Sequence, residues 1–93
     1  MATITAQQVS EEWQEGTSSR AALLAVKNVT TGDTLNVGTG GAINVFSYVK
    51  SAIGCGTTVI GTGACSVSAP TTITIPSGLS NDSLFILIFG CAF

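Results

Sequence analysis

Histidine is absent from the 93 residues, and charge is scarce, with Lys, Arg, Asp and Glu together at 9%. Without histidine, a serine or cysteine nucleophile lacks its usual base, and a Cys/His zinc site lacks part of its ligand set. The three cysteines, Cys55, Cys65 and Cys91, show no Cys-x-x-Cys spacing, so no metal and no cofactor is expected. A net charge of −2 with only three Lys and Arg disfavours phosphate neutralisation and therefore a nucleic-acid partner. The apolar ending SLFILIFGCAF supplies eleven residues after Asp82. A membrane-spanning helix needs about 20, so no membrane partner is expected either. The opening MATITAQQVSEEWQEG has neither a basic start nor an apolar core. No secretory signal is therefore expected, and a protein kept in the cytosol holds its thiols reduced.

Other chemistry is equally thin. Asp33 and Asp82 both fall in turn sequences, where Asp bonds nearby backbone amides. The glycine-rich GTGG and GCGTTVIG fit neither a dinucleotide fingerprint nor a phosphate-binding loop. Asn28-Val-Thr30 and Asn81-Asp-Ser83 match glycosylation sequons, which carry no weight without a leader. No enzymatic constellation assembles.

The charges that exist are placed unevenly. Glu11, Glu12, Glu15 and Arg20 lie in the first twenty residues, and only Lys27, Asp33, Lys50 and Asp82 follow. The chain divides on this ground into an arm, 1–20, and an almost uncharged body, 21–93, of a length suited to one small domain. In the arm, Thr5 with Gln8 three residues on resembles a capping box, and Val9 and Trp13 stand at i and i+4. This predicts one or two helical turns ending near Gly16, marginal unless docked. Trp13 has two readings, an anchor for a partner or packing on the chain's own body.

The body reads as short strands between turns. Apolar or alternating runs at 21–29, 34–37, 42–53, 57–68, 71–76 and 83–90 are separated by TTGD, GTGG and SGLSND. Leu35 and Val37 should share a face, as should Ile43 and Val45, and Ile73 and Ile75, with Thr72 and Thr74 turned the other way. The run 57–68 reads as a hairpin turning at Gly61-Thr62-Gly63, across which Cys55 and Cys65 form the one disulfide worth testing. About seven such strands predict an all-β fold, a small β-sandwich or barrel, preceded by an extended or short-helical arm.

In the last strand, Phe85, Leu87 and Phe89 share one face and Leu84, Ile86 and Ile88 the other. A strand in a small sandwich buries one face and turns the other to solvent. Two apolar faces ask for a second partner, which makes these six residues the candidate core strand or oligomer interface.

The stretches VKNVTTGDTLNVG, VFSYVKSAI and SAPTTITIPSGLSNDSLFILIFG, spanning residues 26–90, resemble small virion proteins of tailed bacteriophages. In these a Thr-Gly-Asp-Thr turn precedes a strand, and an Ile-Pro-x-Gly-Leu turn leads into a hydrophobic last strand. The family includes capsid decoration (cement) proteins, and the resemblance implies a β-rich knob, commonly a homotrimer, on the head exterior. It implies attachment to the major capsid protein after synthesis in the host cytoplasm, and it offers no catalytic residues to carry over. On that reading Val9, Glu12, Trp13 and Arg20 form the arm that contacts the shell. The alternatives are a tail or head-fibre component, a carbohydrate- or receptor-binding β-module using Tyr48 and Asn44, or a fibre subunit whose last strand completes a neighbour's sheet.

Overall fold

The computed structural model describes residues 2–56, 63–76 and 78–92. The described strands are β1 (Val9–Glu15), β2 (Ser19–Val29), β3 (Thr34–Asn36), β4 (Tyr48–Gly56), β5 (Gly63–Ala64), β6 (Ser66–Ser68), β7 (Thr72–Thr74) and β8 (Asp82–Cys91). They form a five-stranded sheet in the order β1-β2-β8-β4-β5 and a three-stranded sheet in the order β3-β7-β6. All strand pairings are antiparallel. Cys65 alone separates β5 from β6, so one stretch of chain leaves the larger sheet and enters the smaller. Sandwich corners are made in this way. The all-β, sandwich-like architecture expected from the alternation is the one observed.

The core lies between the sheets and follows the period-two pattern. Ala22, Leu24 and Val26 of β2, Leu84, Ile86 and Ile88 of β8, and Val49 and Ala52 of β4 face Leu35, Ile73 and Ile75. Thr72 and Thr74, on either side of the inward Ile73, remain half-buried. The strand β8 sits between β2 and β4, paired along nearly its whole length on both sides. The most apolar run in the chain is therefore the sheet's centre and has no open edge.

Two elements depart from expectation. The arm's helix is reduced to a single 3-10 turn, Ala6–Gln8, and the stretch with Val9 and Trp13 is an edge strand. Gln8 shows why the turn stops there. Its side-chain carbonyl accepts from the Thr5 amide at 3.0 Å, while its amide nitrogen donates to the Lys27 and Asn28 carbonyls at 3.0 Å each. Those carbonyls belong to the irregular end of β2, where the register with β8 shifts and Asn28 takes a positive φ of 56°. Gln8 therefore ties the turn to β2 and delivers the following residues in register for β1. The second departure is residues 42–47, expected as the start of a strand. They form irregular backbone in which Val45 and Phe46 are both buried, and both of their amides donate to the Val37 carbonyl.

The outer edge of β3 is covered by residues 2–4, which run parallel to it. Ile4 N donates to Thr34 O at 2.8 Å and Thr34 N to Ala2 O at 2.9 Å. Asp33, buried in the turn before β3, accepts from the amides of Ala2 and Thr30. Its turn role is as expected, with the added task of fastening the start of the chain.

Cys65 is a buried free thiol. Its amide donates to Ala52 O, and in the β4–β5 ladder Ile53 faces Ala64 and Gly54 faces Gly63. Cys65 thus lies across from Ala52, three residues from Cys55, and the Cys55–Cys65 disulfide is not formed. The expected turn at residues 61–63 falls mostly outside the described residues. Burial pushes the Cys65 thiol up to about 11 from 9.0. Only the thiolate reacts, so alkylation of native Cys65 at pH 8 should run about 100-fold slower than for an ordinary thiol, from ionisation alone. Iodoacetamide labelling followed by mass spectrometry, with and without denaturant, checks this. Because the folded value is raised, the stabilising preference for the neutral thiol is fully present below pH 9 and is lost as pH rises towards 11.

Candidate functional site

The outer face of the five-stranded sheet is built by the alternate residues of the same strands that make the core. Register places Trp13 of β1 beside Leu23 of β2, Leu23 beside Leu87 of β8, and Leu87 beside Ile53 of β4. A second row runs Glu15, Ala21, Phe89, Ser51, and a third runs Ser10, Ala25, Phe85. Trp13 is 45% exposed, Ile53 49%, Phe89 41% and Phe85 38%. Ala21, Leu23, Ala25 and Leu87 are half-buried between them. A contiguous apolar surface in a chain this poor in charge is the largest unmet demand of the fold.

The face has relief. Along β2 the outward residues run small, large, small: Ala21, Leu23, Ala25. Where β2 is small, the neighbouring β8 carries Phe89 or Phe85. A trough therefore opens over each alanine, between β1 and the phenylalanine wall. The first, of about 380 Å³, is lined by Trp13, Glu15, Arg20, Ala21, Lys50 and Phe89 among others. The second, of about 340 Å³, lies over Ala25, with Gln8, Val9, Lys27 and Phe85 among its walls. The row Trp13–Leu23–Leu87–Ile53 stands between them as a ridge. All three of the chain's cations, Lys27, Lys50 and Arg20, reach these troughs.

The expected site residues separate into groups. Phe85, Leu87 and Phe89 lie on this face, whereas Leu84, Ile86 and Ile88 are in the core. The last strand thus buries one apolar face and leaves the other uncovered in the single chain. Trp13 joins the outer face, and Glu12 is exposed where β1 bulges. Val9 packs partly on the core and lines the second trough. Arg20 is half-buried: its Nε donates to Gly16 O at 3.0 Å and its Nη1 to Val45 O at 2.7 Å. Arg20 therefore holds the β1–β2 turn against the 42–47 segment as well as lining the first trough. Gly16 turns the chain there at a φ of 114°, which only glycine adopts readily.

Ala21, Leu23, Ala25 and Ile53 were not singled out from sequence. The signal was present in AALLA, whose two alternating faces are both apolar like those of β8, but only the pairing shows that the two strands are neighbours. Tyr48 and Asn44 are exposed and line neither trough. Among the described residues no helix is long and apolar enough to cross a membrane, and no group of three His, Cys, Asp or Glu is placed to hold a metal. No protein-family model, curated protein or solved structure matches this chain, so the reading of the site stands on its own geometry.

Proposed function

We propose that this chain is a non-enzymatic structural subunit that works with the outer face of its five-stranded sheet buried in an assembly. The observation that carries this is the cluster of exposed Trp13, Phe85, Phe89 and Ile53 on a sheet whose other face already fills the core. Interfaces of permanent assemblies resemble a domain core cut in half, and this face has that composition. The resemblance of residues 26–90 to phage virion proteins takes the reading further, to a decoration protein on the exterior of a head shell. Attachment to the major capsid protein then falls to β1. It is the sheet's edge strand, with Glu11, Glu12 and Glu15 exposed, and an extended segment of a shell subunit can add beside it.

The test is mass spectrometry of density-purified phage particles encoding this chain. A decoration protein should be present in copies comparable to the shell subunit and should remain with heads from which tails have been removed. Absence from particles overturns the reading, and so does a handful of copies that leave with the tail.

A further inference from the structure

We infer that the outer face is closed by a second copy of this chain, packed face to face about a two-fold axis parallel to the strands and passing between β2 and β8. The inference rests on the preceding reading of this face as buried, and names its occupant.

The argument is one of register. A two-fold axis lying in the interface and parallel to the strands keeps position along the strands and reverses order across them. It therefore sets β2 of one copy opposite β8 of the second, and β1 opposite β4. Each residue then meets the residue on the other side of the axis in its own row. Phe89 falls opposite the second copy's Ala21, and Phe85 opposite its Ala25, because these pairs share rows in the β2–β8 ladder. Each phenylalanine flanking the axis enters a trough floored by alanine, while the central ridges of the two copies meet along their length. Leu23 meets Leu87, and Trp13 meets Ile53, from the central row. Glu15, at the β1 end of its row, falls opposite Ser51 and the adjoining Lys50 at the β4 end. Opposite charges thus meet at both rims. An axis across the strands and over the central row instead sets phenylalanine against phenylalanine and leaves the alanine troughs facing each other.

The size suffices. Four strands about 4.8 Å apart, each contributing about seven residues at ~3.4 Å, give a footprint on the order of 450 Å² before side-chain relief. With relief this becomes roughly 600–800 Å² per copy, close to the ~800 Å² each partner supplies to a standard stable interface. Aligned packing of two sheets at ~10 Å is the ordinary arrangement of a sandwich, here completed between chains. An isologous contact closes on itself, so it consumes the sticky face without propagating into fibres.

The experiment is sedimentation velocity on the full chain across a micromolar concentration series, with an exchange of the two complementary side chains. The native chain should sediment as a dimer. Ala21→Phe fills the trough and should raise the dimer dissociation constant by about 10-fold or more; Phe89→Ala, which empties it, should do the same. The double variant Ala21→Phe/Phe89→Ala restores one large and one small residue per pair and should recover most of the affinity. Both positions point away from the core, and far-UV circular dichroism confirms folding in each case. Should Ala21→Phe fail to fold, Glu15→Lys and Lys50→Glu, singly and combined, ask the same question at the rim. A monomer, a trimer, or a double variant no better than the singles overturns the two-fold packing. A monomer that is nonetheless abundant on particles removes this inference and leaves the structural reading standing. A dimer absent from particles does the reverse.

Discussion

Phe46→Ala is expected to lower the unfolding free energy by about 3–5 kcal/mol, the range for emptying a fully buried phenylalanine site. Phe46 is fully buried and is the largest such side chain among the described residues. A domain of this length has a total stability on the order of 5–14 kcal/mol, so the loss is a large share of the whole. The site is poorly placed to collapse around the vacancy. The Phe46 amide donates a hydrogen bond to Val37 O, as does the Val45 amide, and Val45 O accepts from Arg20 Nη1. One wall is the β8 backbone at Gly90, which is held in ladders to both β2 and β4. Thermal unfolding followed by circular dichroism should show a midpoint lower by roughly 15–30 °C. Phe46→Leu, which keeps most of the volume, should cost less than half as much. A loss below about 1 kcal/mol for the alanine variant would mean that the 42–47 segment does not close the core as described.

The segment holding Phe46 also shows where sequence legibility ended. Ile43 and Val45 flank the polar Asn44, a spacing of two that suits a strand. Burial of Val45 and Phe46 in succession breaks the period of two, which this segment can do because it is free of a ladder. The arm departs from its helical pattern for a related reason. Val9 and Trp13, four apart, fit one face of a helix. In a regular strand they would also share a face. The bulge between Glu11 and Trp13 shifts the phase, so Val9 leans on the core while Trp13 stands on the outer face. Bulges are set by the neighbouring strand and by ties such as Gln8 to the β2 carbonyls, and neither is visible in the local pattern. By contrast TTITIP, AALLAVKNV and SLFILIFG all carry strand patterns and became strands, and Ile73 and Ile75 point inward as expected. The candidate site was half legible. That β8 has two apolar faces can be read from its residues, but which face stays uncovered depends on strand order. The contribution of Ala21 and Ala25 depends on register alone.

Gly90→Ala is the second large effect expected, a loss of about 4 kcal/mol from the addition of one methyl group. Gly90 continues the inward row of Leu84, Ile86 and Ile88, and it is the point where that row runs out of room. A Cβ built there would lie 3.0 Å from both Phe46 Cδ1 and Val49 Cα, and far inside contact distance of the Tyr48 carbonyl oxygen. The ring could move; the carbonyl and Val49 Cα belong to the backbone of β4, the strand paired to Gly90 through Val49. Relief therefore requires β4 to separate from β8 at this end, costing ladder bonds as well as packing. The same end of β4 carries Lys50, and that of β8 carries Phe89, so the outer face should lose its first trough with the ladder. In the proposed dimer, Gly90→Ala should weaken association and folding together, whereas Ala21→Phe touches association alone. Combining Gly90→Ala with Phe46→Ala separates the two contacts. Removing the ring clears one obstacle and leaves the carbonyl, so the double variant should be less destabilised than the sum by only about 0.5–1 kcal/mol. Full rescue would show that the Phe46 ring, and not the backbone of β4, is what reserves this position for glycine.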